Sequence, residues 1–181
     1  LINNAGFGTS RYLIETAAEE ETAMINLHML ASVRLIKAAL PEMICKRSGG
    51  IINVASISAF LPTPGSATYA ASKAYLVTFS RALHKEVQQF NVRVQALCPG
   101  FTTTEFHSSE TFTEKINRSR TPKFLWMTAD DVAKLSFQAL NTKRVVFIPG
   151  IKNRILVALW RMIPSTFLAG MKEFAFKRRS N

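Results

Sequence analysis

Apolar residues fall along this chain in short unbroken blocks separated by longer, interrupted ones. The short blocks are LINNAG (1–6), IINVAS (51–56), VRVQALCPG (92–100) and RVVFIPG (144–150), each closed by serine or glycine. Runs of that length predict strands, and the near-continuous IINVAS predicts one buried on both faces. The blocks between them have helical spacing. Thr16 followed by Glu19 forms a capping-box pattern, which predicts a helix start near 19 and a helix reaching about 47. Met24, Leu27, Leu30, Ala31, Leu35 and Ala38 follow the 3–4 spacing expected of its buried face, and Gly49-Gly50 is the expected stop. LPTPG (61–65) reads as a loop and 66–89 as a second helix, with Leu76, Phe79, Leu83 and Val87 in one stripe. Residues 101–127 are polar, rich in Thr and Ser, and lack a clear period; Thr128 with Asp130-Asp131 opens a third helix to about 140. Strand, helix, strand, helix, strand, helix, strand predicts an α/β fold with a parallel sheet.

Composition narrows this picture. The chain has 181 residues, 48% apolar and 19% charged, enough for one globular domain. Cys45 and Cys98 have no C-x-x-C spacing and read as two reduced thiols, in keeping with a cytoplasmic setting. His28, His84 and His107 are scattered, with no carboxylate or cysteine at ligand spacing; all three read as helix-surface or loop residues, and no metal site is expected. The net charge of +11 is uneven, because residues 141–181 hold nine basic residues and one acid. That divides the chain into a body, 1–150, and a basic amphipathic helical tail, 151–181. The longest charge-free run of the tail, 162–171, spans ten residues and contains Pro164, too short to cross a membrane. Two helices broken at Pro164 are expected. Their apolar faces either cover the sheet or its cleft, or lie peripherally on an anionic membrane surface. No interleaved aromatic-basic platform points to nucleic acid.

Each predicted strand ends in chemically suggestive residues: Asn3-Asn4-Ala5-Gly6, then Ser56, then Pro99-Gly100 with a threonine-rich loop. In such folds ligands bind beyond the carboxyl ends of the strands. Tyr69 and Lys73, in YAASK, stand at i and i+4 and share a helix face. A nearby ammonium favours the phenolate, and a serine hydroxyl such as Ser56 can hold a carbonyl oxygen beside the phenol, as acid-base chemistry on an alcohol/carbonyl pair requires. Alone, Y-x-x-x-K is more often a surface helix turn. Ser58 competes with Ser56 for the serine role, but the thirteen-residue spacing to Tyr69 favours Ser56.

The ordered set N-N-A-G, Asn26, Ser56, Tyr69-x-x-x-Lys73 and P-G-x-x-x-T resembles the short-chain dehydrogenase/reductase family from Leu1 to about Gly150. That resemblance implies a Rossmann-type doubly wound parallel sheet and an NADP(H) or NAD(H) cofactor. It implies Tyr69 as acid/base, Ser56 as the group orienting the substrate carbonyl, Lys73 on the nicotinamide ribose and lowering the Tyr69 pKa, and Asn26 holding a relay water. Asn3, Ala5 and Gly6 would line the cofactor cleft, and Pro99, Gly100, Thr102 and Thr104 would sit by the nicotinamide. It further implies a homodimer or homotetramer built on the two long helices. The apolar tail and Phe-bearing loop suggest a lipophilic carbonyl or alcohol substrate, and I-P-G-x-x-N-R resembles the ketoacyl-reductase-like subgroup. The family's T-G-x-x-x-G-x-G turn has no match here. The expectation is therefore an incomplete fold, lacking the family's first three strands, that binds cofactor poorly by itself. The rival reading is a non-catalytic homologue acting as a subunit or inactive fragment.

Overall fold

The computed structural model describes residues 1–9, 11–104, 122–142 and 144–162; His107, the centre of the 101–127 stretch and the Pro164 break lie outside these residues. Four parallel strands form the main sheet: β1 (Ile2–Asn3), β2 (Gly49–Val54), β3 (Val92–Leu97) and β6 (Val146–Phe147), in that order. A two-stranded pair, β4 (Thr102–Thr103) with β5 (Met127–Thr128), stands apart. Helices α1 (Ala18–Ile25), α2 (Ser32–Cys45), α3 (Ala67–Val87), α4 (Ala129–Leu140) and α5 (Ile151–Met162) connect or follow the strands.

The expected doubly wound architecture is present because both faces of the central strands are apolar. Ile51, Val92 and Val94 meet Ile36 of α2 and Leu83 and Val87 of α3 on one face. Ile52 and Leu97 meet Val132 of α4 on the other. Gln95 is wholly buried within β3 and is satisfied by α4: its Nε2 donates to Ser136 O at 3.2 Å, and Ser136 Oγ donates to its Oε1 at 2.5 Å.

The first long helix departs from the pattern in three ways. Its N-cap is Ala17, not Thr16, whose hydroxyl donates back to Leu13 O at 3.0 Å. Arg47 turns the chain after Cys45 with a left-handed φ of 48°, and Gly49-Gly50 belongs to β2. The third difference is the buried face. Between α1 and α2, Asn26–Ala31 forms a π-helical segment. Widened turns shift the phase of everything beyond them. The residues turned inward are Met24, His28, Ser32 and Ile36, spaced by four, whereas Leu30 and Leu35 are about half exposed. By length and composition Ala18–Cys45 could cross a membrane, but here its Met24 and Ile36 are core residues.

In α3, Leu76, Leu83 and Val87 are buried against the sheet, and Phe79, partly buried, packs beside them. Thr128 does cap α4, its hydroxyl accepting from Asp131 N at 3.1 Å.

Candidate active site

The site lies beyond the carboxyl ends of β1, β2 and β3. Ser56 stands two residues past β2 and caps a short 3-10 turn (Ile57–Ala59), its Oγ accepting from Ser58 N at 3.1 Å. Ile57 N donates to Pro99 O at 3.0 Å, which ties the Ser56 turn to the Pro99-Gly100 turn after β3. A loop through Gly65, with φ of 81°, then delivers the chain to α3. Small residues let that helix approach closely: Ala70 and Ser72, between Tyr69 and Lys73, are both buried.

Tyr69 and Lys73 therefore point inward, at 9% and 5% exposure. Lys73 Nζ donates to Val54 O at 2.9 Å and lies 5.6 Å from the centroid of the Tyr69 ring. Burial disfavours charge on both side chains. It lowers the Lys73 pKa to about 8 and raises that of Tyr69; a side-chain hydrogen bond with Ser56 pulls the phenol the other way. The net shift at Tyr69 is upward because desolvation dominates. Cys98 shares this interior, and burial pushes its thiol up to about 12.

The remaining predicted positions divide. Gly6 belongs to the group, because a Cβ there would stand 3.5 Å from Lys73 Nζ. Asn3 is buried and donates from Nδ2 to Asn53 Oδ1 at 2.7 Å, while Asn53 Nδ2 donates to Ser80 Oγ at 2.9 Å. Asn3 thus faces the sheet interior, and its Oδ1 has no partner among the described residues. Ala5 is exposed. Thr102 and Thr104 are half-buried; Thr102 Oγ1 donates to Gly100 O at 3.1 Å. Asn26, expected to hold a relay water, is exposed at the start of the π segment.

The position that does reach the site is His28, 1% exposed, against its reading as a surface residue. Its ring lies edge-on to Tyr69, with centroids 6.0 Å apart. A Gly6 Cβ would stand 2.6 Å from its Nε2, so the close approach of turn and imidazole requires glycine. Asn153 of α5 is a second unforeseen neighbour. Its side chain lies against Gly100, where a Cβ would meet Oδ1 at 2.5 Å, and its Nδ2 donates to Pro149 O at 3.1 Å. The available signal for His28 was its place four residues after Met24, on the same helix face.

Taken together these features define a parallel α/β protein with a serine, a tyrosine and a buried lysine gathered at the carboxyl edge of its sheet. Residues 1–115 match the family described as short chain dehydrogenase, and the chain belongs to that family. It is 33% identical over 145 residues to a 3-oxoacyl-[acyl-carrier-protein] reductase of Bos taurus, covering 80% of this chain and 60% of the relative. It is 38% identical over 109 residues to the 3-oxoacyl-[acyl-carrier-protein] reductase FabG of Chlamydia trachomatis, covering 60% and 44%. The chain thus spans about half the length of these curated relatives. Among solved structures, a short-chain dehydrogenase from Sphingobium yanoikuyae in complex with NADPH superposes with a TM-score of 0.74 at 26% identity, covering 98% of this chain and 64% of that one. A short chain dehydrogenase/reductase from Burkholderia phymatum in complex with NAD shares the fold, with a TM-score of 0.76 at 23% identity, covering 88% and 63%.

Proposed function

We propose that the protein is an NAD(P)-dependent oxidoreductase that interconverts a ketone and a secondary alcohol. The observation that carries this reading is the convergence of Ser56, Tyr69 and a buried Lys73 whose ammonium has one carbonyl partner among the described residues. An ammonium has three N–H groups. Val54 O takes one, which leaves donors for the hydroxyls of a ribose. The Gly6 and Gly100 turns, each too close to a neighbour to bear a side chain, fit a backbone approached by a flat ligand. Lys73, Gly6, Pro99, Gly100, Thr102 and Thr104 are the residues that would hold the cofactor, with Asn3 fixing the strand end beneath it. A nicotinamide bound there supplies or accepts the hydride. Ser56 holds the substrate oxygen, and Tyr69 gives its phenolic proton to that oxygen in reduction and takes it back in oxidation. The elevated pKa of Tyr69 suits the proton-donating direction. The two 3-oxoacyl reductase relatives favour a lipophilic 3-oxoacyl substrate. Residues 1–150 form the catalytic portion of this reading and 151–181 its basic tail.

Tyr69→Phe keeps the ring and removes the acid. Turnover by the full protein should fall by about 10²–10⁴-fold with cofactor binding nearly unchanged. Retention of more than half the rate would favour the non-catalytic homologue instead. Lys73→Met should weaken cofactor binding as well as turnover.

A second reading concerns α5. Ile151, Ile155, Leu159 and Met162 are exposed on one side, while Asn153 and Val157 are buried on the other. Lys152 and Arg154 flank the exposed stripe at one end and Arg161 at the other. An apolar stripe edged by cations suits peripheral contact with an anionic membrane. Ile155→Glu with Leu159→Glu leaves the buried side intact. Salt-sensitive pelleting with phosphatidylserine vesicles should be lost in that variant; unchanged pelleting removes α5 as the contact.

A further inference from the structure

We propose that His28 is a positioning residue that clamps the Gly6-Phe7 turn to the helix bearing Tyr69 and Lys73, and so sets the distance between the cofactor-side turn and the proton-transfer pair. This rests on the oxidoreductase reading above for its catalytic consequence, but its geometry stands independently.

Both ring nitrogens are engaged, and on different elements. Phe7 N–H donates to Nε2 at 3.2 Å. Nδ1 lies 2.8 Å from Ser72 Oγ, and Ser72 Oγ lies 2.8 Å from Tyr69 O. These contacts assign the protons. A carbonyl only accepts, so the single Ser72 hydroxyl proton goes to Tyr69 O. Ser72 Oγ must then accept from His28, which places the imidazole proton on Nδ1. That leaves Nε2 with a lone pair, as the Phe7 N–H requires. The Nδ1–H tautomer satisfies every partner; the Nε2–H tautomer would oppose the Phe7 N–H and draw the Ser72 proton away from Tyr69 O.

The clamp is bracketed by groups that leave it no freedom. Phe7 and Tyr69 stand on either side of the ring at centroid distances of 6.1 and 6.0 Å. The point where a Gly6 Cβ would stand is 2.6 Å from Nε2 and 3.5 Å from Lys73 Nζ. The ring is therefore wedged beside the ammonium. His28 stands four residues after Met24 and shares its inner face, and the π-helical segment keeps Ser32 and Ile36 on that side as well. A core histidine that only fills space would need neither directed bond nor a particular tautomer.

The two halves of the clamp can be tested separately, because a glutamine amide mimics Nε2 and an asparagine amide mimics Nδ1. Three variants serve: His28→Leu, which fills space with no polar atom, His28→Gln and His28→Asn. In the full protein, exchange of the Phe7 amide with solvent deuterium should be slow in the wild type and in His28→Gln, and at least tenfold faster in His28→Leu and His28→Asn. The wild-type imidazole nitrogen shifts should report a proton on Nδ1 at pH 7. In steady-state kinetics His28→Leu should lower kcat at least tenfold, and His28→Gln should recover most of that loss. Space-filling alone predicts that Leu and Gln behave alike in both measurements, and that result overturns the clamp. A wild-type ring protonated on Nε2 also overturns it. Tyr69→Phe, assayed beside them, separates the two claims. Should it keep its rate, the enzymatic reading fails, while Phe7 exchange still judges the clamp.

Discussion

Two side chains at the site hold protons differently in the folded and unfolded chains, with the same sign in two separate pH windows. His28 is the acid-sensitive one. Burial, reinforced by the neighbouring Lys73, lowers its pKa from 6.5 to about 3. Between those values the unfolded chain binds a proton that the folded chain refuses, so stability falls as pH drops below 6.5. At about 1.4 kcal/mol per unit, the loss at pH 5 relative to pH 7 is about 2 kcal/mol. Urea midpoints at pH 7 and pH 5 should show it, and in His28→Gln that part of the slope should vanish. Lys73 acts at the other end of the scale. Its pKa is lowered from 10.5 to about 8, so the unfolded chain holds the extra proton between those values and stability rises with pH across them. Below pH 8 the buried ammonium costs about 3 kcal/mol. Lys73→Met should therefore raise the melting temperature at pH 7, by less than this amount implies because the bond to Val54 O is lost, and the gain should shrink towards pH 10.5. A lower melting temperature at pH 7 would show that the bond outweighs the desolvation.

At the scale of elements, the sequence was readable where one signal sufficed. IINVAS and VRVQALCPG are short apolar-rich, strand-type runs and form the two central strands. YAASK lies on the inner side of the helix its periodicity predicted, and Thr128 caps as its hydroxyl and the following aspartates suggested. Reading failed where two physical demands competed. Leu30 and Leu35 look like core by hydrophobicity, yet the π-helical turn gives the inner positions to Ser32 and Ile36. Regular helical geometry would have kept Leu35 on the inner side with Met24. The glycine pair at 49–50 was read as a helix stop because glycine commonly serves so, but Gly49 is required in β2 by the Met43 side chain lying over it, 2.6 Å from where a Cβ would be. Asn153 could not be recognised as a neighbour of Gly100 from sequence, since 53 positions separate them and only the fold joins them.

For the whole molecule, the consequence of that phase shift is an outward apolar surface. Ile25, Leu30 and Leu35 are exposed along the first long helix, and Ile25 and Met29 line a shallow groove with Ala67, Thr68 and Ala71 at the start of α3. If the expected self-association occurs, this outer face is the apolar helix surface left for it, because Leu76, Leu83 and Val87 of α3 are buried against the sheet. Leu30→Lys with Leu35→Lys should shift sedimentation of the full protein from dimer or tetramer towards monomer without lowering its melting temperature; an unchanged sedimentation coefficient would exclude this face. The interior shows a different economy. Asn3, Asn53 and Ser80 form an unbroken amide-to-hydroxyl line from the first strand through the second into α3. Asn3 stands opposite Asn53 in the strand alignment. Sliding β1 along β2 by one residue would turn Ile2 and Asn3 to the wrong faces, and sliding by two would leave buried amides without partners, at about 1–3 kcal/mol each. Apolar neighbours would tolerate such offsets almost equally well. The line of amides therefore works as an alignment key: among the many ways two greasy strands can lie together, it admits the one in which the Gly6 turn ends level with Ser56.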